Sequence, residues 1–376
     1  QLIKIFEHAK DLKGPILIHA ITQKGKGYKP AENHSQRLHA STPFDKLTGQ
    51  ARKKAGETVA YTKIFGNALV EIIEKNPNVV GITAAMPDGT GLDILKEKIP
   101  QNFYDVGIAE EHAVTFAAGL ATQGIKPVVA IYSTFLQRAI DQVIHDVALQ
   151  KLHVVFILDR AGLVGADGPT HHGTFDLSYL RIIPGMVIMA PKDEAELRNM
   201  VYTAIEHCEG PVAVRYPRGS ALGVKLEEGF SKIEIGKSEK LSDGEDVAIL
   251  AVGSMVNYAE KASVLLKENG INCEIINMRF IKPLDTKRLD EIAARHDKVV
   301  TLEENNLPGG FGSAVLEYFN DKNFKNHIFM LGIPDKFIDH GTQTQLHKQI
   351  EIDPEGIAER ITAFYKKTKS TAKATI

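Results

Sequence analysis

Short apolar runs alternate with longer amphipathic stretches along most of this chain. From residue 58 onward, apolar runs of three to five residues fall at 79–83, 104–106, 128–131, 154–158, 187–190 and 212–214. Between them, apolar positions recur with a helical period at about 60–76, 110–123, 135–149 and 193–206. Strands that alternate with helices are typical of βαβ units, so this pattern predicts a parallel sheet covered by helices on both faces.

A second strand–helix series follows a polar stretch at 225–246. Its predicted strands are 247–252, 273–277, 299–302 and 328–331, and its predicted helices lie near 255–269, 285–295, 310–320 and 354–366. Near the N-terminus, an amphipathic helix tail precedes an apolar run at 15–21 that predicts a strand. Because a single strand cannot bury itself, we expect its partners to lie upstream and the chain to be a fragment of a longer protein.

The resulting domain plan has six parts. They are a remnant of an N-terminal domain at 1–45, a linker at 46–57, a first α/β domain at 58–224, a linker at 225–246, a second α/β domain at 247–366 and a disordered tail at 367–376. A chain of 376 residues agrees with this plan, because single cores stop growing at roughly 250 to 300 residues.

The amino-acid composition of the chain restricts the classes of molecule that it is expected to bind. With 43% hydrophobic and 24% charged residues, the chain has the make-up of a globular protein. A net charge of −2 gives no general attraction to nucleic acid or to an anionic membrane, so an anionic ligand must be bound by a few placed cations. No apolar run is long enough to span a bilayer. Cys208 and Cys273 are far apart and form no CxxC motif, which favours the reducing cytoplasm.

Three segments rich in functional side chains follow the ends of predicted strands. They are the stretch 104–113, the stretch 131–139 and the glycine-rich stretch 158–173. Ligands of open α/β sheets bind at the carboxyl ends of the strands, so the three segments together predict one site.

Each candidate residue also has an ordinary structural interpretation. Glu110 opens a predicted helix, and helix N-termini attract acids for electrostatic reasons alone. Tyr132 and Phe135, three residues apart at a helix start, fit core packing as well as the stacking of a flat ligand. Arg160 and Arg218 each follow a strand with a glycine nearby. Surface ion pairs are the usual fate of arginine, but this placement favours bidentate binding of a phosphate.

The glycine-rich loop carries Asp167, His171 and His172. Adjacent histidines suggest a metal site, but no third ligand stands at zinc-like spacing, and the loop lacks the dinucleotide-binding spacing. A histidine here can instead donate a hydrogen bond to a substrate carboxylate or relay a proton. A second glycine-rich stretch, 309–312, opens a predicted helix and is interpreted as close strand–helix packing without a catalytic role.

The three segments resemble the pyrimidine-binding domain of thiamine-diphosphate enzymes of the transketolase family. The resemblance extends from about residue 14 to about residue 360. It implies a pyrimidine-binding parallel-sheet domain followed by a transketolase C-terminal-like α/β domain, with thiamine diphosphate and Mg²⁺ as cofactors in a cytoplasmic homodimer. It also implies a transferase that condenses pyruvate with glyceraldehyde 3-phosphate. The reaction would release CO2 and give 1-deoxy-D-xylulose 5-phosphate, a precursor of isoprenoids, thiamine and pyridoxal.

The resemblance assigns a role to each candidate residue. Glu110 would share a proton with the cofactor's pyrimidine and hold that ring as its imino tautomer. The resemblance assigns cofactor contacts to Tyr28, Tyr132 and Phe135, substrate contacts to Arg138, Arg160 and Arg218, and further catalytic roles to His39, Asp167 and His171.

One feature of the family is missing from this sequence. Members bind magnesium and diphosphate through a Gly-Asp-Gly motif that is followed at a distance by an asparagine, and the chain has no such motif. We therefore expect the metal and diphosphate ligands to lie in a preceding N-terminal domain. On this expectation, the chain alone binds the cofactor poorly and is inactive.

The residues also allow two other interpretations. A transketolase, or the β-type subunit of a 2-oxo acid dehydrogenase, would share the fold. Such a β-subunit would begin near residue 58, and the apolar run at 15–21 argues against it. A non-catalytic subunit of the same fold is the other interpretation, and the joint presence of the acid, the aromatic pair and the two arginines disfavours it.

Overall fold

The computed structural model describes residues 1–33, 43–50 and 58–373, the last five of these by their backbone alone. The chain divides into two compact units, Gln1–Glu57 and Thr58–Ile376. The described part of the first unit contains two α-helices, α1 (Leu2–Ala9) and α2 (Lys29–Glu32).

Both sheets lie in the second unit. Their strands are β1 (Val79–Thr83), β2 (Phe103–Asp105), β3 (Lys126–Tyr132), β4 (Val155–Asp159), β5 (Val187–Met189), β6 (Val212–Arg215), β7 (Glu239–Ser242), β8 (Val247–Ala251), β9 (Cys273–Asn277), β10 (Phe280–Lys282), β11 (Lys298–Asn306) and β12 (His327–Ile333). The α-helices of this unit are α3 (Tyr61–Lys75), α4 (Pro87–Thr90), α5 (Leu92–Lys98), α6 (Glu110–Ala121), α7 (Ser133–Leu136), α8 (Ile140–Gln142), α9 (Asp176–Arg181), α10 (Glu194–His207), α11 (Met255–Glu268), α12 (Thr286–Arg295), α13 (Phe311–Asp321), α14 (Gln343–Gln349) and α15 (Pro354–Lys373).

Seven strands form the first sheet, in the order β10-β5-β6-β4-β3-β1-β2. Neighbouring strands are parallel except for β10, which pairs antiparallel with β5. Every residue of β1 and β4 is buried. Successive apolar side chains of the sheet alternate between two separate core clusters, one on each face. The predicted parallel sheet with two covered faces is therefore confirmed.

Five strands form the second sheet, in the order β12-β11-β8-β9-β7. A third apolar cluster packs α11, α14 and α15 against it. The chain leaves this sheet after β9 and contributes β10 to the edge of the first sheet. The two α/β series are therefore joined by the pairing of β10 with β5, as well as by the chain that connects them.

The predicted strands after residue 58 lie within two residues of the observed ones, except that β11 continues four residues further, to Asn306. The pattern does not predict β7 and β10, and β7 lies within the expected linker at 225–246. Both strands are short and contain charged residues at a sheet edge, so neither produces a recognisable apolar run.

Three other expectations are wrong. Residues 15–21 form no strand; they are exposed, and the described part of the chain offers them no partner strand. The helix expected at 135–149 is broken, and residues 143–148 form a wider π-helical turn, which apolar spacing does not distinguish from an α-helical turn. Finally, α15 continues to Lys373, beyond the expected start of a tail at residue 367.

Among the described helices, none combines the length and apolar character that crossing a bilayer requires.

The extension of β11 places an acid at the start of α13. Glu303 is buried, and its two carboxylate oxygens accept hydrogen bonds from the backbone N–H groups of Phe311 and Gly312, each at 2.7 Å. Burial raises the pKa of Glu303 to about 7. A Cβ atom at Gly310 would collide with this carboxylate. The interpretation of the stretch 309–312 as close strand–helix packing is confirmed.

Arg215, the last residue of β6, connects the two α/β series through buried hydrogen bonds. Its Nε donates to Asp176 Oδ2 at 2.8 Å, and its Nη2 donates to the carbonyl oxygen of Glu304 in β11 at 3.0 Å. Both charged side chains are buried. If one partner is removed, the other remains as an uncompensated charge in a dry environment.

We predict that Arg215→Ala lowers the free energy of unfolding by roughly 3 to 5 kcal/mol, the usual cost of breaking a buried ion pair from one side. The midpoint of urea unfolding, followed by circular dichroism, measures this change. Lys75→Ala is the control, because Lys75 forms an exposed i,i+4 pair with Glu71. We expect a loss below about 1 kcal/mol there. Equal, small losses in both variants would contradict the prediction.

Candidate active site

The carboxyl ends of β3 and β4 bring the first candidate residues together. In the parallel register of these strands, Tyr132 pairs with Asp159. Arg160 follows Asp159 directly and has a φ of 62°, a left-handed backbone conformation that is uncommon outside glycine. The strand ends therefore place an aromatic ring, an acid and an arginine side by side.

The guanidinium group of Arg160 is fixed by three neighbours. Its Cζ lies 3.7 Å from the centre of the Tyr132 ring, a distance at which a cation and an aromatic face attract each other. Its Nη1 donates to the carbonyl oxygen of Gly89 at 2.7 Å and to Asp159 Oδ1 at 2.9 Å. This arrangement differs from an ordinary surface ion pair, because both charged side chains are largely buried.

Asp159 supports Arg160 from the end of the buried strand. Its other oxygen, Oδ2, accepts a hydrogen bond from Thr62 Oγ1 at 2.8 Å. Burial raises the pKa of Asp159 from its usual 3.8 to about 6, and the charge of Arg160 limits that rise. Asp159 therefore titrates close to the neutral range and depends on Arg160 for its ionised form.

Glu110 is the first residue of α6, and its side chain is only 3% exposed. Its Oε1 accepts a hydrogen bond from Nη1 of Arg138 at 3.1 Å, while the Arg138 side chain is 54% exposed. The positive end of the helix dipole also favours an acid at this position. The neighbouring acid, Glu111, is exposed. Of the two adjacent acids, Glu110 is therefore the buried one, and its role stays a prediction.

The aromatic pair forms a continuous face with one of the loop histidines. The rings of Tyr132 and Phe135 are stacked with their centres 5.6 Å apart and an interplanar angle of 21°. His171 meets Phe135 edge-on at 5.4 Å, and the Arg138 guanidinium lies 5.5 Å from the centre of the Phe135 ring. Phe135 also packs against the core, so the structural interpretation accounts for part of its surface. Through Arg138, the same ring pair is connected to Glu110.

Arg218 forms an ion pair with Asp167 of the glycine-rich loop. Its Nη1 lies 2.5 Å from Asp167 Oδ2 and 3.3 Å from the carbonyl oxygen of Val164, and the two charged side chains are 41% and 42% exposed. Burial raises the pKa of Tyr132, and the charges of Arg160, Arg218 and Asp167 also act on it. Of these charged groups, Arg160 is the one that contacts the Tyr132 ring directly.

Two supporting residues of this site were not identified from the sequence. Asp159 ends an apolar strand immediately before Arg160, and the rule that strand ends carry functional side chains could have found it. Gly89 lies in α4, and a Cβ atom there would collide with the Tyr132 hydroxyl. No pattern in the sequence connects Gly89 with Tyr132, because the contact depends on how α4 packs.

The histidines of the loop have different surroundings. His171 is partly exposed, and its Nδ1 lies 2.9 Å from Thr170 Oγ1. His172 is buried, its Nδ1 accepts a hydrogen bond from the backbone N–H of Val164 at 3.1 Å, and burial lowers its pKa. The Nδ1 atom of His172 is therefore occupied by a hydrogen bond from the loop backbone. Among the described residues, no group of three or more potential metal ligands is assembled.

Two other predicted site residues belong to the first unit. Tyr28 donates a hydrogen bond from its hydroxyl to the carbonyl oxygen of Lys46 at 2.8 Å, and its ring centre lies 6.1 Å from that of Phe44. His39 lies outside the described residues. The roles assigned to Tyr28 and His39 stay predictions.

Comparison with known protein families gives two matches. The model described as "Transketolase, pyrimidine binding domain" matches residues 57–222, and the model described as "Transketolase, C-terminal domain" matches residues 236–357.

Among curated proteins, the 1-deoxy-D-xylulose-5-phosphate synthase of Chlorobium luteolum is 52% identical over 97% of this chain and 58% of its own length. The 1-deoxy-D-xylulose-5-phosphate synthase 1 of Geobacter sulfurreducens is 53% identical over 97% of the chain and 57% of its own length. The 1-deoxy-D-xylulose-5-phosphate synthase of Gloeobacter violaceus is 54% identical over 96% of this chain and 57% of its own length. The chain thus spans less than three fifths of the length of these relatives.

Among solved structures, one described as a split gene transketolase, inactive beta4 tetramer, has a TM-score of 0.73 and 29% identity. It covers 81% of this chain and 98% of its own. Transketolase from Campylobacter jejuni has a TM-score of 0.67 at 20% identity and covers 83% of this chain and 48% of its own. The second likeness supports the fold alone.

We predict that the carboxyl group of Asp159 titrates near pH 6, and that Arg160→Met raises its pKa because a nearby cation is lost. Carbon-13 NMR of labelled aspartate side chains measures both values. Because the native state binds this proton more tightly than the unfolded chain, titration of Asp159 lowers stability as the pH rises from about 4 to about 6.

Arg138→Met is the matched control, because the Arg138 guanidinium pairs with Glu110 and not with Asp159. An unchanged or lowered pKa in Arg160→Met would show that the two side chains do not form the ion pair described above.

Proposed function

We propose a function from one premise: this chain belongs to the transketolase family. Its curated relatives are named as 1-deoxy-D-xylulose-5-phosphate synthases. The proposed activity is the thiamine-diphosphate-dependent condensation of pyruvate with glyceraldehyde 3-phosphate, with release of CO2, to 1-deoxy-D-xylulose 5-phosphate. In this proposal, the chain supplies the pyrimidine side of the cofactor site and the cations that bind the substrate phosphate.

The observation that carries the proposal is the buried carboxylate of Glu110 close to a stacked aromatic pair. An acid that shares a proton with a pyrimidine nitrogen must be shielded from water, and the Glu110 side chain is 3% exposed at the start of a helix. Arg138 connects this acid to Phe135, at 3.1 Å on one side and 5.5 Å on the other. A flat aminopyrimidine fits a site that offers a carboxylate at its edge and aromatic rings along its face.

Thiamine diphosphate, when bound, supplies the carbon nucleophile, and the residues of this chain bind, orient and exchange protons. Glu110 would exchange a proton with the pyrimidine ring nitrogen. Tyr132 and Phe135 would form the wall of the pyrimidine pocket. His171, edge-on to Phe135, donates a hydrogen bond to the pyruvate carboxylate or relays a proton.

The substrate phosphate is assigned to Arg160 and Arg218. Gly89 and Asp159 accept hydrogen bonds from Nη1 of Arg160. The guanidinium group can therefore bind an anion through its Nε and Nη2. Arg218 is 41% exposed and is oriented by Asp167. Arg160 follows β4 and Arg218 follows β6, and these strands are parallel neighbours, so both arginines lie at the same edge of the sheet, which supports a shared anion.

The location of the metal and diphosphate ligands, the oligomeric state and the cellular compartment belong to the same proposal. Mg²⁺ and the diphosphate group are assigned to a further part of the polypeptide, because the Gly-Asp-Gly motif is absent from this sequence. The similar split transketolase is described as an inactive tetramer, which supports an inactive chain here. A homodimer in the cytoplasm is proposed from the family resemblance, and the free, buried thiols of Cys208 and Cys273 agree with a reducing compartment.

We predict that Glu110→Gln lowers turnover more than roughly a hundredfold in a polypeptide that has the full length of the relatives. The amide keeps the shape of the side chain but cannot exchange the required proton. Steady-state kinetics with saturating thiamine diphosphate and Mg²⁺ measure the loss. The control is Glu111→Gln, which changes the exposed neighbour and is expected to stay within about threefold of the wild type. Near-normal turnover of Glu110→Gln at full cofactor occupancy would remove Glu110 from this role.

We predict that Arg160→Ala and Arg218→Ala each raise the KM for glyceraldehyde 3-phosphate by roughly tenfold or more, and that the KM for pyruvate changes much less. The reason is that a charge-assisted phosphate contact contributes a few kcal/mol, and pyruvate has no phosphate. Separate titrations of the two substrates test this. Lys240→Ala, which breaks a surface pair with Asp243, serves as the control. Equal effects on both substrates would assign the arginines a structural role instead.

A further inference from the structure

The amide group of Gln343 binds the backbone of two active-site loops at once. Gln343 is the first residue of α14, in the C-terminal α/β series. Its Nε2 donates to the carbonyl oxygen of Leu163 at 2.7 Å and to the carbonyl oxygen of Arg218 at 3.2 Å. Leu163 belongs to the loop after β4, and Arg218 belongs to the loop after β6. One side chain therefore bridges the segments that carry the Arg218–Asp167 ion pair.

A buried acid attaches the same part of the first loop from the other side. The backbone N–H of Leu163 donates to Glu304 Oε1 at 2.9 Å, so both backbone polar groups of Leu163 are bound by the C-terminal series. Glu304 is held in turn by His347 Nε2 at 2.6 Å and by Ser254 Oγ at 3.0 Å. His347 lies one helical turn after Gln343 in α14. The two attachments of Leu163 are therefore fixed relative to each other.

The shape of the loop is adapted to this contact. Gly162 has a φ of 78°, and a Cβ atom there would collide with the Glu304 carboxylate. Gly165 has a φ of 96°, and a Cβ atom there would lie 3.1 Å from the carbonyl oxygen of Gly341. His172, at the far end of the loop, lies 3.2 Å from the carbonyl oxygen of Asp339 through its Nε2. The segment before and at the start of α14 thus contacts the loop along its length.

The contacts around Arg218 form a closed cycle. The Arg218 side chain binds Asp167 Oδ2 and the carbonyl oxygen of Val164, while its backbone is connected to Leu163 through Gln343. Close to the strand ends, the backbone N–H of Ala161 also donates to the carbonyl oxygen of Tyr216 at 3.0 Å. Beyond that point, without the Gln343 amide, only the side-chain contacts of Arg218 would connect the two loops. Because Arg218 and Asp167 are each about two fifths exposed, those contacts compete with water and are weak.

We infer that Gln343 is a positioning residue, through which the C-terminal α/β series sets the location of Arg218 and Asp167 relative to each other. It does not touch the reacting groups. Its effect on a phosphorylated substrate rests on the function proposed above, whereas its effect on the geometry of the loop does not.

The first experiment measures loop geometry without any assay of activity. Gln343→Leu removes both hydrogen bonds at similar volume, and Gln343→Met does so with an unbranched side chain. Gln349→Leu is the matched control, since Gln349 is an exposed glutamine of the same helix. Hydrogen exchange of the chain, followed by mass spectrometry, is expected to become several times faster in peptides covering 162–173 in both Gln343 variants. Peptides covering β8, and all peptides of the control, are expected to keep the wild-type rate.

The second experiment measures substrate binding in the full-length polypeptide. We expect both Gln343 variants to raise the KM for glyceraldehyde 3-phosphate roughly fivefold, the effect of about one neutral hydrogen bond, with kcat and the KM for pyruvate within twofold of the wild type. Wild-type exchange in 162–173 would overturn the inference whatever the kinetics. Faster exchange with equal changes in both KM values would overturn the link to Arg218. If the wild type catalyses no condensation, the proposed function fails, and the exchange rates alone decide whether Gln343 positions the loop.

Discussion

The parallel register of β3 and β4 is the constraint on which the candidate site depends. It pairs Tyr132 with Asp159 and so fixes the position of Arg160, the next residue. The left-handed backbone at Arg160 then places the guanidinium over the Tyr132 ring, at 3.7 Å, and beside the carbonyl oxygen of Gly89. A shift of one residue in this register would send Tyr132 to the opposite face of the sheet and remove every one of these contacts.

Acids at the ends of buried strands give the site its electrostatic character. Asp159, Glu303 and Glu304 are fully or almost fully buried, and a buried carboxylate is unfavourable unless it is paired or hydrogen-bonded. Each has a different compensation: an arginine and a hydroxyl for Asp159, two backbone N–H groups for Glu303, and a histidine for Glu304. Glu110 differs from the three because its partner, Arg138, is half exposed. Glu110 is therefore the one of these four acids whose charged partner is more than half exposed to solvent.

The sequence predicts the parts of this molecule that follow from apolar periodicity. Strands buried on both faces appear as continuous apolar runs, so β1 to β6 were located within two residues and the segments at their ends were identified. The contacts of Gly89 and Gln343 could not be predicted, because each depends on the packing of a short helix far away in sequence. The end of β11 was missed for a related reason. Its last residues are polar, and only their partners in space explain why they are buried.

The C-terminal α/β series has a larger part in the site than the sequence indicates. It carries none of the residues assigned to cofactor or substrate, yet it adds β10 to the first sheet, and Arg215 binds the backbone of Glu304 across the boundary. Its residues also bind both backbone polar groups of Leu163. Loops at strand ends have few contacts of their own and take their shape from what they pack against. The second series therefore supports the loop that carries Asp167 and His171, and both series lie in one compact unit, Thr58–Ile376.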